Sequence, residues 1–310
     1  MHLASTPGSR PRHEPGGIVV TATGDAPPSR GEWVRIRDRR LRIVREGPWE
    51  GDSGPGRLVV MECGAFGCAP DWHLVQMKLS DLGVRSLAYD RAGLGLSDPG
   101  PDPRHGRAIA DDLEALLSQL GDPSRLVLVG HSMAGLFLRV LAPRLNDRLD
   151  GLVLVDAVTP EAVDHPAAAR MIGGFRSAMF LLDRVAGLGV MQPWAMVAGD
   201  RIGLPPAVSL EKRRIYASAS HARASAREVQ QWLQTAEQGR SEGPFDPNLP
   251  VAVVTAGAVL LPPELQRIQN APAEASRSGY LDRVEGAGHA NLLGPRYAER
   301  VVRGVQHVLA

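Results

Sequence analysis

Apolar residues recur along the chain in two rhythms. Trp33-Val34-Arg35-Ile36-Arg37 alternates apolar with basic residues, and beyond a polar turn Leu41-Arg42-Ile43-Val44 is again apolar-rich. A period of two predicts an antiparallel strand pair, with Arg35, Arg37, Arg39, Arg40 and Arg42 as strand residues facing water. Wholly apolar runs follow at Leu58 to Met61, Leu126 to Val129, Leu152 to Val155 and Val251 to Val254. Runs of this kind predict strands covered on both faces. Val84 to Tyr89 and Tyr280 to Val284 read as further strands. Between them the rhythm is helical. Trp72, Val75, Leu79 and Leu82 share a face, as do Ile109, Leu113, Leu116 and Leu120 before the Gly121-Asp122-Pro123 stop. Met133 to Leu145 and Tyr297 to Leu309 predict two more helices.

Strands that alternate with helices imply an α/β protein with a mostly parallel sheet. One block breaks the alternation: Pro160 to Glu242 shows helical stretches and no clear strand. Ligands of such sheets bind beyond the carboxyl ends of the strands. The block is therefore expected to be a helical cap roofing that end. The expected organisation is a flexible tail over 1–30, a core from 31–157 and 246–310, and a cap over 158–245. Gly47 to Gly56 is a Gly/Pro-rich connection, and no internal repeat is present.

Composition narrows the partners. The 310 residues include 35 basic and 34 acidic side chains, so nothing favours a phosphate-rich partner, and nucleic acid is not expected. Two cysteines, Cys63 and Cys68, make no disulfide framework, and no ligand spacing for a metal accompanies them. Met1 to Arg30 lacks the apolar core of a signal peptide. The most apolar stretch, Met171 to Ala198, is interrupted by Arg176, Asp183, Arg184 and Pro193, so no stable membrane insertion is expected. A soluble cytoplasmic protein is the default reading. The sequence carries no mark of oligomeric state.

Candidate chemistry sits where strands end. Leu126 to Val129 runs into Gly130-His131-Ser132-Met133-Ala134-Gly135 and then a helix. A serine at the apex of a strand–turn–helix, with small residues two before and two after it, has the form of a nucleophile elbow. Ala134 replaces the usual final glycine of G-x-S-x-G, with Gly135 just behind. Read blandly, Ser132 would only cap a helix; the apolar strand before it and the apolar helix after it favour the nucleophile. Its hydroxyl needs a base. His289 follows the last predicted strand in Glu285-Gly286-Ala287-Gly288-His289, at the same sheet end, and is the candidate among nine histidines. His131 reads as a packing or orienting residue. Oxyanion donors are expected from the backbone N–H of Met133 and from the loop Glu62-Cys63-Gly64-Ala65-Phe66-Gly67, where Ala65 is the choice. Cys63 has no feature that would lower its pKa and reads as structural.

These pieces resemble the α/β-hydrolase superfamily over roughly Trp33 to Ala310, with the helical block diverging. The match lies in the Gly64 loop with Asp71-Trp72, Tyr89-Asp90-Arg91-Ala92-Gly93-Leu94-Gly95-Leu96-Ser97-Asp98, the Ser132 elbow, Leu152 to Ala157 and Glu285 to His289. The resemblance implies an eight-stranded, mostly parallel sheet, the α/β-hydrolase fold, with the cap inserted after strand 6, and a Ser–acid–His triad. It implies a structural, non-catalytic role for Asp90-Arg91. Many members place the triad acid after the strand that here spans Val251 to Val254, but Thr255 to Leu261 holds no acid. The alternative position, directly after Leu152 to Val155, holds Asp156. The order Ser132, Asp156, His289 fits, with Glu264 as the other candidate.

The implied reaction is cofactor-free acyl transfer to water. A serine at the elbow argues against halide displacement or epoxide opening, which in this superfamily use an aspartate. The expected substrate is a small or medium apolar carboxylic ester, seated near Phe66, Phe175, Met179 and Trp194. A lactonase, thioesterase or amidase would use the same triad, and a non-catalytic small-ligand receptor on the same fold is the alternative of another class.

Overall fold

The computed structural model describes residues 30–49, 57–189 and 191–310. The expected tail up to Ser29, and the connection from Glu50 to Gly56, lie outside the described residues. Strands β1 (Glu32–Ile36), β2 (Arg39–Glu46) and β3 (Arg57–Glu62) lead to helix α1 (His73–Asp81). Then come β4 (Ser86–Tyr89), α2 (Gly106–Gln119), β5 (Arg125–His131), α3 (Ala134–Leu145) and β6 (Leu149–Val155). Five helices follow: α4 (Pro166–Val185), α5 (Met191–Ala198), α6 (Pro206–Tyr216), α7 (Ala219–Gln230) and α8 (Trp232–Ser241). The chain closes with β7 (Val251–Ala256), α9 (Pro263–Ala275), β8 (Gly279–Val284) and α10 (Ala298–Leu309).

The strands form one eight-stranded sheet in the order β1-β2-β4-β3-β5-β6-β7-β8. β2 pairs antiparallel with β1 and β4, and every other pairing is parallel. The apolar runs explain the layering, because successive strand residues point to opposite faces. Val59, Met61, Val127, Val129, Val153 and Val155 pack on one face with Val75 and Leu79 of α1 and Val301, Val302 and Val305 of α10. Leu58, Val60, Leu126, Leu128, Leu152 and Leu154 pack on the other with Leu113, Leu116 and Leu117 of α2 and Leu138 and Leu141 of α3.

The helices between β6 and β7 meet the sheet at its carboxyl end. Met133, just past β5, and Leu136 and Phe137 of α3 pack with Ile172 of α4, Val229 of α7 and Trp232 of α8. Phe66 and Cys68, just past β3, pack with Met191 and Ala195 of α5 and Ile215 and Tyr216 of α6.

One expectation is corrected. Arg39 and Arg42 do not face water; both are buried, Arg42 completely. β2 is flanked by strands on both sides, and its arginines turn inward onto acids. Arg42 reaches Asp90 at 3.3 Å and also Glu211 of α6, while Arg39 reaches Asp112 of α2 at 3.0 Å. Alternation identified the strand, but it could not reveal that both faces carry acidic partners.

Candidate active site

Ser132 sits directly beyond β5 with φ at +58°, a left-handed backbone that a β-carbon-bearing residue rarely adopts. The turn is held from both sides: Ser132 N–H donates to the Val155 carbonyl at 3.1 Å, and the Ser132 carbonyl accepts from Val158 N–H at 2.9 Å. Over-determined strain of this sort concentrates at functional sites. The small flanking residues have a steric reason. A Cβ on Gly130 would lie 2.6 Å from Leu138 and 3.2 Å from the Cβ of Ala134. Alanine at 134 is itself fully buried, so it fits where a larger residue would not.

Asp156 occupies the corresponding position beyond β6, with φ at +42°. Its Oδ2 accepts a 2.6 Å hydrogen bond from His289 Nδ1. Its Oδ1 accepts from Ala256 N–H and from Gln269 Nε2, each at 3.1 Å. Burial works to raise the Asp156 carboxyl, but the His289 hydrogen bond, the charge of that ring and the Ala256 amide outweigh it and hold the group below its ordinary value. Glu264, the other candidate, lies in α9 with its side chain 69% exposed, 3.7 Å from His165. Asp282 lies in β8, paired to Arg300 at 2.6 Å. The structure thus brings Asp156, and not Glu264, to the histidine.

With Nδ1 bound to Asp156, Nε2 is the ring nitrogen of His289 left for another partner. Ser132 and His289 line one cavity of about 690 Å³. Among the described residues neither Ser132 Oγ nor His289 Nε2 has a hydrogen-bond partner. Catalytic contacts often tighten only when substrate is bound. His131 reaches the same loop: its Nε2–H donates to the His289 carbonyl at 3.0 Å, and the two rings stand 4.5 Å apart. Burial and the neighbouring His289 lower the His131 pKa to about 3, so this ring is neutral.

The Gly64 loop closes against the elbow. A Cβ on Gly64 would lie 2.8 Å from Ser132 Cβ, an approach only glycine permits. Among the described residues the backbone N–H groups of Ala65 and Met133 find no acceptor. Unpaired backbone donors beside a strained serine are what an oxyanion would require. Cys63 and Cys68 are buried, and burial together with the Asp71 charge pushes both thiols well up. Among the described residues no cluster of His, Cys, Asp and Glu could hold a metal ion.

The cavity wall is mostly apolar. Phe66, Phe175 and Met179, three of the four side chains expected near a substrate, line it with Ile172, Leu182 and Trp232. Trp194 belongs to α5, but its side chain lies outside the described residues. Lys212, Tyr216 and Arg201 add polar ends that sequence reasoning missed. Lys212 is bound to Asp71 at 2.7 Å; burial alone would lower its pKa, and the Asp71 charge raises it above the ordinary value. No helix among the described residues is long and apolar enough to cross a membrane.

Residues 57–183 match a family model described as the alpha/beta hydrolase fold. Among curated proteins, the chain is 37% identical over 110 residues to a non-heme chloroperoxidase of Kitasatospora aureofaciens, a match covering 35% of this chain and 40% of that protein. The chain spans less than half the length of the curated relatives it matches. Two solved structures share the fold over nearly the whole chain. A thermophilic esterase from Thermogutta terrifontis superposes with a TM-score of 0.66 at 24% identity, covering 90% of this chain and 98% of that one. An epoxide hydrolase from Vigna radiata superposes with a TM-score of 0.67 at 16% identity, covering 89% and 97%. At these identities the likeness concerns the fold, and the neighbours' chemistries differ.

Proposed function

We propose that this chain, a member of the α/β-hydrolase superfamily by its eight-stranded sheet and its family match, is a serine hydrolase acting on carboxylic esters. The observation that carries the reading is the 2.6 Å hydrogen bond from His289 to Asp156, formed beside a serine held at φ +58°. Ser132 Oγ attacks the ester carbonyl while His289 Nε2 takes its proton. Asp156 holds the tautomer and stabilises the imidazolium. The Met133 and Ala65 amides receive the oxyanion. His289 then protonates the departing alcohol, activates a water for attack on the acyl-enzyme, and returns the proton to Ser132 as the acid leaves.

The helices α4 to α8 act in this reading as the cap over the site. A cavity of about 690 Å³ walled by Ile172, Phe175, Met179 and Leu182 favours a small or medium apolar acyl or alcohol group. Lactones, thioesters and amides present the same carbonyl to the same groups. A serine nucleophile favours acyl transfer over the halide or epoxide chemistry of some fold neighbours.

A fluorophosphonate probe tests the reading together with p-nitrophenyl esters of rising chain length. The expected result is covalent labelling of folded protein that Ser132→Ala abolishes, with turnover of the shorter esters lost in parallel. An unlabelled, inactive wild-type protein with the same fold would instead mark a ligand receptor, and the hydrolase reading would be abandoned.

A further inference from the structure

Arg91, read from the sequence as a structural turn residue, has a completely enclosed guanidinium directly behind the Gly64 loop. Nη1 donates to the Cys63 carbonyl at 2.6 Å and to Glu62 at 2.5 Å. Nη2 donates to the Gly64 carbonyl at 3.0 Å and to Glu228 of α7 at 2.7 Å. Nε also donates to Glu228, at 3.1 Å. Its flat face lies 4.9 Å from the Phe137 ring centroid. A fork with all its donors satisfied on two acids and two consecutive carbonyls has one geometry available to it.

The consequence lies across the next peptide bond. The Gly64–Ala65 peptide is trans, so its carbonyl and its N–H point in opposite directions. Arg91 and the Gly67 N–H, at 3.2 Å, pull the Gly64 carbonyl away from the cavity. The Ala65 N–H must then face the other way, and Ala65 lines the cavity with Ser132. That amide, like the Met133 amide, has no acceptor among the described residues. The left-handed Phe66, at φ +63°, marks the turn between Gly64 and Gly67.

We propose that Arg91 is a positioning residue for the oxyanion hole: it fixes the Gly64–Ala65 peptide so that the Ala65 amide aims at the substrate oxygen, and through Glu228 it ties that aim to helix α7. The inference rests on the serine-hydrolase reading. Arg91 touches neither substrate nor triad, and it acts through one peptide plane. The same contact makes the oxyanion loop and the helices over the site one mechanical unit, because Glu228 can release α7 only by releasing Arg91.

Arg91→Lys tests the proposal, since it keeps the buried charge but cannot grip two carbonyls and two acids at once. A second variant, Arg91→Met with Glu62→Gln and Glu228→Gln, removes the whole charge cluster and leaves no buried ion unpaired, so a folded protein remains available if the lysine variant unfolds. Removing one oxyanion donor outright costs about 100- to 1,000-fold in kcat, so a donor only loosened is expected to cost roughly 10- to 100-fold. With p-nitrophenyl butyrate, kcat should fall by that factor while KM changes by less than about 2-fold. Inactivation by a fluorophosphonate, whose oxygen occupies the same hole, should slow by the same factor. The pH dependence of kcat/KM should keep its shape, because the His289–Asp156 pair is untouched. Either folded variant retaining wild-type kcat and inactivation rate overturns the proposal, as does a loss of activity accompanied by a displaced pH profile. A wild-type protein that takes no label sinks the hydrolase reading, and this inference with it.

Discussion

Asp156 shows how much one residue's surroundings decide. Its two oxygens accept three hydrogen bonds, from His289, Ala256 and Gln269, and each holds the carboxylate ionised and aimed. Replacing Asp156 with Asn keeps the shape but presents an amide that favours the wrong histidine tautomer. Turnover should fall by about 1,000- to 10,000-fold in steady-state assays. Glu264→Gln, on an exposed helix position away from the histidine, should leave turnover within about 2-fold. The acid was the least legible member of the candidate triad. The strand before Thr255 ends without a carboxylate, and only the fold shows that Asp156 and Ala256 lie within hydrogen-bonding reach. Ser132 and His289 were legible because small residues and glycines flank them at strand ends.

At the scale of elements, the wholly apolar strands and the helical spacing could be read directly, since burial on both faces leaves a four-residue signature. The buried charges could not. Arg42 reads in the sequence as a water-facing strand residue, Arg91 as a turn residue and Lys212 carries no signal, but each finds an acid far along the chain. Arg91 and Glu228 are 137 positions apart, and Arg42 and Asp90 are 48 apart. These pairs fasten the helices between β6 and β7 to the sheet: Glu211 and Lys212 belong to α6, and Glu228 to α7. Lys212→Met would strand Asp71 as a buried, unpaired charge. Urea unfolding should show a loss of about 3–5 kcal/mol, and pairing it with Asp71→Asn should recover most of that loss. If the single variant is as stable as wild type, the pair does not hold α6 in place.

For the whole molecule, acid sensitivity follows from a histidine outside the candidate triad. His221 of α7 is buried, stacks on Tyr216 at 5.3 Å between ring centroids, and accepts a 3.0 Å hydrogen bond from Gly95 N–H at Nδ1. Burial, aided by the charges of Arg91 and Lys212, lowers its pKa from 6.5 to about 3. The unfolded chain takes up this proton as pH falls below 6.5, and the native state refuses it until about 3. The stability tied to the neutral ring is therefore intact above 6.5 and drains away between 6.5 and 3. His221→Gln should flatten the pH dependence of the unfolding free energy in that window by up to one proton, about 1.4 kcal/mol per pH unit. Urea titrations at several pH values read this slope independently of any packing loss. An unchanged slope would mean that the ring is already charged in the folded protein.

The β5–β6 ladder ends on the His131–Val155 rung, and Ser132 and Asp156 are the next residue on each strand. The proposed nucleophile and acid are thus tied to the centre of the sheet, whereas the proposed proton carrier, His289, arrives on a loop from the far edge strand β8. The two kinds of support differ in how they tolerate change. Edits to residues 285–291 can retime or redirect proton traffic without disturbing the central scaffold, but edits near the ladder's end disturb both partners together. A lineage diversifying its chemistry from this architecture would therefore find the loop the cheaper place to experiment.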